Sequence, residues 1–264
     1  MMSERRRGRG PWRIAVVGRG KAAGSLTSSL RRARIAHTTH DSRGTIDVGD
    51  AALVVLAVND SAIGAVAGEL HVARGVLVVH MAGSLGLRAL PSSLRRGAFH
   101  PLASLDGRTV IAAGALCAVD ADVDDDRVRL VDLAHRLRLM PARVTDEQRA
   151  RYHAGAVIAG NLATGLLQVG VEQLVAVGIS ADVARVSLAR LLASTADRAE
   201  HSPLSTALTG PVARGDAETV ARHLEVIVDH DDREIYRLLT RVLVQRVRPP
   251  RATDVHWPAA LSDS

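Results

Sequence analysis

Two stretches in the second half of the chain carry polar residues that could bind and convert a small molecule. The first, EQRARYHAGAVIAGNLA, spans 147–163, and the second, PLSTALTGPVARGD, spans 203–216. On one helix, His153 and Asn161 would be separated by about 80° in rotation and about 12 Å along the axis. We therefore expect them to flank a substrate, Asn161 near the reacting carbon and His153 at the far end.

Three further residues of these stretches are candidates for substrate binding: Tyr152, Thr209 and Arg214. The guanidinium of Arg214 suits a substrate carboxylate, although we favour the alternative of a structural ion pair with Asp216. For Tyr152 the alternative is packing, and for Asn161 it is a hydrogen bond between helices.

Histidines also end two apolar runs, GVLVVHM and GAFH. His80 or His100 could polarise a carbonyl or imine and deliver a proton as hydride arrives, because the pKa of histidine is close to the working pH. A histidine bonded to backbone at a strand end is an equally weighted alternative. Beside them, Ser84 is a further candidate for substrate contact, and Val58 and Asn59 are candidates for cofactor contact.

A glycine-rich turn near the start of the chain predicts a dinucleotide-binding site. The turn follows the apolar run IAVV and opens a helical pattern, so that its backbone can approach a pyrophosphate at a helix N-terminus. The third glycine of G-x-G-x-x-G is replaced by alanine, a tolerated occupant. The predicted cofactor-binding residues of this turn are Gly18, Arg19, Gly20, Lys21, Ala22 and Ala23, with His80 added from the strand end.

The end of the second predicted strand bears on the choice between NADP and NAD. It reads His40-Asp41-Ser42-Arg43, which offers both an acid for the ribose hydroxyls and an arginine for a 2′-phosphate. If the strand ends near Thr39, Ser42 and Arg43 lie in the loop that meets the phosphate. We therefore expect NADP, with NAD as the alternative, and no metal.

Short β-branched runs alternate with helical patterns from Arg13 to about Val144, which is typical of βαβ units. Thr145-Asp-Glu-Gln148 is a capping box, and helical periodicity then continues to Val177. We predict an α/β protein with an N-terminal Rossmann-type, mostly parallel sheet and an all-helical C-terminal domain. The predicted divisions are a disordered basic tail at 1–11, the Rossmann domain at 12–144, a helical substrate and dimerisation domain at 145–248, and a loose tail at 249–264.

Composition excludes several other classes. The 264 residues carry a formal charge of +6, which raises the question of nucleic-acid binding. Lys21 is the only lysine, and most arginines are interspersed with acidic residues. Nucleic-acid binding is therefore kept only as a less favoured hypothesis for the segment Arg5–Arg9. A single cysteine, Cys117, excludes an internal disulfide, and no export signal is evident. We expect a cytoplasmic protein.

The long predicted helix is rich in small residues, with glycines at 155, 160, 165 and 170, and suits packing against a second copy. A homodimer through the helical domain is therefore expected. Its most apolar stretch, 154–177, is interrupted by Asn161, Gln168, Glu172 and Gln173, which are costly in lipid. We predict no membrane span.

YHAGAVIAGN, ALTGPVARGD, HMAG and FHPL together resemble the Rossmann-like oxidoreductases that carry a C-terminal domain of unknown function 2520. The resemblance covers Arg13 to Leu239 and implies a helical domain similar to that of 6-phosphogluconate dehydrogenase, commonly dimeric, with kinship to pyrroline-5-carboxylate and ketopantoate reductases. Ala82 departs from the serine that the family tends to have in its His-x-x-Gly turn. Val157 occupies the position of a lysine in related hydroxyacid dehydrogenases, which leaves proton transfer to His100, His80 or His153.

The leading hypothesis is therefore an NADP-dependent reductase of a small carbonyl or imine acid, acting at the cleft between the two predicted domains. The rival hypothesis is a dinucleotide-binding dimer that senses or regulates without turnover. It is motivated by the absence of the family's lysine and serine.

Overall fold

A computed structural model describes residues 13–252 and 255–261, which form two compact units that divide between Gly160 and Asn161. The predicted basic tail and the arginines at 5–9 lie outside the described residues. The division between the units falls later than the change of sequence pattern at Thr145. The helix that begins there packs on the α/β unit, so its first half belongs with the sheet.

The first unit is built on a seven-stranded sheet with the strand order β2-β1-β4-β6-β7-β8-β9. Every neighbouring pair is parallel except β7 and β8. The strands are β1 (Ile14–Val17), β2 (His37–His40), β4 (Leu53–Leu56), β6 (Leu77–His80), β7 (Arg95–Pro101), β8 (Leu116–Ala121) and β9 (Met140–Arg143). The apolar runs noted in the sequence all become strands of this sheet, and β3 (Ile46–Asp47) and β5 (Leu70–His71) form a separate parallel pair.

Helices cover both faces of the sheet, as its doubly buried strands require. They are α1 (Lys21–Arg32), α2 (Ile63–Gly68) and α3 (Asp124–Arg136). On one face Leu26 and Leu130 pack with Val16, and on the other Ile63 packs with Val17. Adjacent residues of β1 thus enter opposite cores. Because β1, β2, β4, β6 and β7 are parallel, their carboxyl ends meet at one edge of the sheet, which we call the carboxyl edge.

The predicted capping box at the start of the long helix is confirmed. Thr145 accepts from the backbone of Gln148, and the Thr145 N–H donates to the Gln148 side chain at 3.0 Å. The helix is not continuous to Val177, as the periodicity predicts. It divides into α4 (Asp146–Ala159) and α5 (Asn161–Ala176) at Gly160, where φ −99° and ψ −75° stay in the right-handed region but depart from ideal α-helical angles.

The second unit is helical, as predicted. Its helices are α5, α6 (Ala181–His201), α7 (Leu204–Ala207), α8 (Pro211–Arg214), α9 (Ala217–Val226) and α10 (His230–Val242), followed by a π-helical turn at Leu243–Val247. Asp216 caps α9 by accepting from the Thr219 N–H at 3.0 Å. Helix α10 begins at His230, because the Asp229 side chain caps it. Gly170 lies 3.1 Å, measured from an ideal Cβ, from Leu188, so this glycine lets α6 approach α5.

The C-terminal segment corrects the expectation of a loose tail. Its described residues form short 3₁₀ turns at Pro250–Ala252 and Ala259–Leu261, and Ala252 and Leu261 are buried in an apolar cluster. Trp257 donates from its indole N–H to the Ala252 carbonyl at 3.1 Å. Apolar residues spaced along an irregular segment give no periodic signal, so only tertiary packing reveals this order.

One stretch, Asp146–Ala176, is long and apolar enough by composition to cross a membrane. Its mean hydropathy over the best window is 1.5, and only 6% of that window is buried. Length and composition alone are weak evidence for a membrane span. The stretch also contains the break at Gly160, and Gln168 and Glu172 hydrogen-bond each other on it at 2.7 Å.

Candidate functional site

The carboxyl edge of the sheet begins with the glycine turn after β1. Gly18 has φ +133°, a conformation that only glycine adopts readily, and a Cβ there would overlap the Ala57 carbonyl oxygen at the end of β4. Gly20 precedes the first turn of α1, which has no side-chain cap and no acidic residue. Its N–H groups and positive dipole end are therefore available to an anion such as a pyrophosphate.

The remaining residues of the predicted turn divide between solvent and core. Lys21 is exposed, whereas the Ala22 and Ala23 side chains pack into the core under α1. Only the backbone of these two alanines can face a phosphate. A Cβ on Gly24 would overlap the Gly107 carbonyl oxygen, so this glycine serves the packing of α1 rather than a ligand.

The end of β2 is at His40, one residue after the expected Thr39, and Ser42 and Arg43 lie in the following loop. Asp41, the acid that could bind ribose hydroxyls, forms an ion pair with Arg19 at 3.3 Å. Both side chains are well exposed, so this pair contributes little to stability. It does offset the negative charge at the strand end, which leaves this loop net positive.

Next along the edge, the segment after β4 meets the turn after β6. Asn59 begins a 3₁₀ turn at Asp60–Ala62 and is exposed, and Val58 is half-buried. Ser84, a candidate for substrate contact, donates to the Asp60 carboxylate at 3.3 Å. Its hydroxyl therefore links two strand ends.

His80, at the end of β6, is fully buried and bonds to backbone. Its Nε2 lies 3.0 Å from the Gly86 carbonyl oxygen, which can only accept, so Nε2 carries the proton. Burial is the main cause that lowers the pKa of His80. The backbone alternative considered for a strand-end histidine therefore describes His80, which secures the turn at 81–86.

Asp146, the first residue of α4, secures the other end of that turn. Its Oδ1 accepts from the Leu87 N–H at 2.8 Å, and a Cβ on Gly86 would overlap its carboxylate. The turn is thus fixed by a buried histidine on one side and by a helix-start carboxylate on the other.

His100, near the end of β7, forms the central polar contact of the site. Its Nδ1 lies 2.8 Å from the hydroxyl oxygen of Tyr152 on α4, with the rings edge to face at 5.5 Å. The simple packing considered for Tyr152 is thus incomplete. Tyr152 holds the His100 imidazole in one orientation.

The electrostatics of this pair correct the expectation that a strand-end histidine titrates near the working pH. Burial, followed by the charge of Arg149, lowers the pKa of His100 from 6.5 to about 4. Burial raises the pKa of Tyr152 to about 12. Both groups are neutral at pH 7, so His100 acts as a hydrogen-bonding imidazole rather than as a resident imidazolium.

Gly83 provides the close approach between the turn after β6 and the two histidines. An ideal Cβ at Gly83 would lie 2.6 Å from His153 Nδ1 and 2.8 Å from His100 Nε2. The ring centroids of His100 and His153 are 6.3 Å apart. His153, expected at the far end of a substrate, therefore lies within the His100 cluster.

The remaining candidates belong to the second unit. Asn161 begins α5 and is exposed, and Thr209 lies in the turn before α8. Arg214 lies 3.8 Å from Asp216, the cap of α9, which agrees with the structural ion pair that we favoured. Both side chains of that pair are partly exposed.

Arg149 is the main residue of the site that sequence reasoning missed. It lies on α4 among Tyr152 and His153, is 1% exposed, and donates from Nη1 to the Ala82 carbonyl at 3.4 Å. Its spacing of four residues from His153 places both on one helix face, which was an available signal. Cys117 is buried, and burial raises the pKa of its thiol.

No cluster of three or more His, Cys, Asp or Glu side chains suited to a metal ion occurs among the described residues. The polar site at the carboxyl edge thus contains imidazole, phenol and guanidinium groups. Its suitable ligands are a dinucleotide at the glycine turn and a small polar molecule beside His100.

The sheet order, the glycine turn and the covering helices define a Rossmann-type protein followed by a helical unit. Residues 115–243 match the family described as "Domain of unknown function (DUF2520)". The match covers just under half of the chain, and over these residues it confirms the resemblance inferred from the sequence. None of the curated proteins compared with the chain matches it significantly.

Solved structures confirm the fold over most of the chain. A "putative NADP oxidoreductase" from Bacteroides fragilis is 22% identical with a TM-score of 0.69, covering 89% of this chain and 99% of that one. Protein TM1727 from Thermotoga maritima is 20% identical with a TM-score of 0.71, covering 89% and 98%. Pyrroline carboxylate reductase from Plasmodium falciparum, with NADP bound, is 10% identical with a TM-score of 0.57, covering 87% and 97%. At these identities the likeness establishes the fold.

Proposed function

We propose that this protein is an NADP-dependent oxidoreductase that reduces a small carbonyl or imine acid by hydride transfer. One observation carries the proposal. The glycine turn with its uncapped helix follows β1, and His100, which bonds Tyr152, lies near the end of β7, so both lie at the carboxyl edge of the same sheet. In open α/β sheets this edge is where ligands bind.

The residues of the glycine turn suit the pyrophosphate of a dinucleotide. Gly18 brings the backbone close to the end of β4, and Gly20 has no neighbour within 4 Å of its Cβ position. Ser42 and Arg43 would take the 2′-phosphate of NADP, and the ion pair of Arg19 with Asp41 removes the competing acid. When bound, NADPH supplies the hydride.

For a carbonyl substrate, whose reduction gives an alcohol, His100 would polarise the substrate oxygen. If the Tyr152 hydroxyl donates to Nδ1, the neutral imidazole carries its proton on Nε2, the atom that lies against Gly83. The product oxygen then takes the Nε2 proton while Nδ1 takes the phenolic proton, and solvent reprotonates Tyr152. This transfer is downhill because a phenol is a stronger acid than an alcohol.

The acid group of the substrate rests on the resemblance to pyrroline-carboxylate and ketopantoate reductases. Asn161, His153, Thr209 and Arg214 remain candidates for holding it. We place the protein in the cytoplasm, in keeping with the Rossmann-type fold.

The cofactor assignment is tested by titrating NADPH and NADH against the protein and following fluorescence quenching. We expect tighter binding of NADPH. Arg43→Ala should raise the Kd for NADPH about tenfold, the effect of one charged phosphate contact, and leave the Kd for NADH within about twofold. The matched control is Arg74→Ala, an exposed arginine that precedes β6 and therefore lies away from the carboxyl edge.

Failure of the wild-type protein to bind either dinucleotide would remove the proposal. Binding of NADPH without oxidation, across a panel of keto acids and imines, would instead favour the sensor hypothesis. An equal loss of affinity for NADH and NADPH in Arg43→Ala would contradict the assignment of the 2′-phosphate to this residue.

We further propose a homodimer through the second unit. The cavity between α5 and α6 has a volume of about 230 Å³ and is lined mainly by aliphatic side chains. Exposed apolar residues of these helices are Leu162, Leu166, Val175, Val183, Val186, Leu191 and Leu192. Such an exposed apolar patch is typical of an interface.

Light scattering at micromolar concentration should give twice the monomer mass. Leu191→Arg should give the monomer mass, because a charge replaces an aliphatic contact in the proposed interface. Leu204→Arg is the control, since Leu204 is exposed to a similar extent, 60% against 59%, but lies on α7. A monomeric wild-type protein would contradict the dimer.

A further inference from the structure

Arg149 has the largest side chain of the fully buried residues that the structure describes. It forms no ion pair with any described acidic residue, since the nearby Asp120 pairs with Arg143. Its Nε and Nη2 make no hydrogen bond, and Nη1 makes only the long bond to the Ala82 carbonyl. An unpaired buried ion costs several kcal/mol. Such a residue requires a reason for its position.

The carboxylates nearest to Arg149 already have other partners. Asp146 accepts from the Leu87 N–H, and Asp120 pairs with Arg143 at 3.2 Å. The charges of Asp120 and Asp146 favour the charged form of Arg149. Burial has the larger effect and lowers the pKa of Arg149 below its ordinary value of 12.5. Because an arginine side chain is not deprotonated in proteins, the Arg149 guanidinium keeps a positive charge, and the described carboxylates nearest to it are bound elsewhere.

That charge acts on the histidine cluster. From α4, Arg149, Tyr152 and His153 face His100, and from β6 His80 faces it. No carboxylate is among the groups that shift the pKa of His100. In a region of low dielectric, a nearby cation opposes formation of an imidazolium.

We infer that Arg149 is a positioning residue of this site, which fixes the Ala82–Gly83 peptide against His100 and places a buried positive charge beside the histidine cluster. The C=O and N–H groups of a trans peptide point in opposite directions. With the Ala82 carbonyl turned toward Arg149, the Gly83 N–H points away from the buried guanidinium. The turn that touches both His100 and His153 is thereby held in one orientation.

The inference rests on the proposed function only in treating His100 as the reacting group. Its consequence is that His100 remains a neutral hydrogen-bond donor at physiological pH, while an anionic substrate can approach a site with positive potential. Arg149 itself, being buried, acts through the turn and through His100 rather than by touching the substrate.

The test measures the pKa of His100 by NMR titration of the imidazole Cε1–H signals, without cofactor or substrate, so it does not depend on turnover. The His100→Asn variant assigns the signal. In Arg149→Met we expect the pKa of His100 to rise by about one pH unit, because a nearby cation is removed while burial remains. Arg149→Lys, which keeps the charge, should leave it low.

The matched control is Arg151→Met, an exposed position on the same helix, which should not move the pKa of His100. If Arg149→Met does not fold, Arg149→Gln keeps a donor for the Ala82 carbonyl and carries the same expectation. An unchanged pKa of His100 in a folded neutral variant would overturn the inference. Loss of NADPH binding with a raised pKa would leave it standing and contradict only the proposed function.

Discussion

Gly18→Ala is expected to abolish dinucleotide binding and to lower the free energy of unfolding by about 3 kcal/mol. The backbone at Gly18 has φ +133°, a region in which a residue with a Cβ is strained by about 1–3 kcal/mol. The added Cβ would also overlap the Ala57 carbonyl oxygen, so β1 and β4 would have to separate at the carboxyl edge. Chemical denaturation and NADPH titration measure the two effects.

Gly20→Ala separates stability from binding at the same turn. Gly20 has φ −79°, and a Cβ there would meet nothing within 4 Å, so stability should change by less than about 0.5 kcal/mol. A methyl group at this position should nevertheless weaken NADPH binding at least tenfold, because it would keep the pyrophosphate from approaching the backbone closely. Normal affinity in Gly20→Ala would show that no dinucleotide crosses this turn. A wild-type melting curve for Gly18→Ala would contradict the strain argument.

The sheet could be predicted from sequence because its strands are buried on both faces. Continuous runs such as IAVV and LVVL are what that environment selects, and each run became a strand. The pair β3 and β5 was missed, since each has two residues and such short strands carry no periodic pattern. Their pairing depends on tertiary contact between distant segments.

The helix division was harder to predict for a related reason. The apolar pattern continues through Gly160, so the sequence predicts one helix where the structure has α4 and α5. A glycine is tolerated within a helix at a cost of about 1 kcal/mol, and nothing local decides whether the backbone bends there. Packing of α4 against the turns after β6 and β7 assigns its residues to the first unit.

The candidate site was predictable in position but not in its pairings. Polar residues at the carboxyl ends of parallel strands indicated the edge that holds His80 and His100. The His100–Tyr152 bond joins residues 52 apart in sequence, a distance that no local pattern spans. Arg149 was missed because an arginine on a helix usually faces solvent, and only the tertiary packing shows that this one is buried.

His100→Gln is expected to lower kcat/KM for the reduction by a factor of about 10² to 10⁴, the usual contribution of a positioned proton donor. Binding of NADPH should stay within about twofold of wild type, because the glycine turn is formed by other strands. Tyr152→Phe should have a smaller effect, about tenfold, since it removes the orienting bond but leaves the imidazole. His71→Gln, an exposed histidine on β5, is the matched control.

His100→Gln should also change how the free energy of unfolding depends on pH, which tests the site without an assay of activity. The pKa of His100 is about 4 in the folded protein against an ordinary value of 6.5, so below pH 6.5 the unfolded chain binds the proton more readily. Stability that is fully present above pH 6.5 is therefore lost as the pH falls toward 4, by up to about 3 kcal/mol. In His100→Gln this contribution is absent, and the loss between pH 6.5 and pH 4 should be smaller by that amount. An identical pH dependence in wild type and His100→Gln would show that His100 titrates normally, and the neutral imidazole on which the proton-transfer proposal depends would then be wrong.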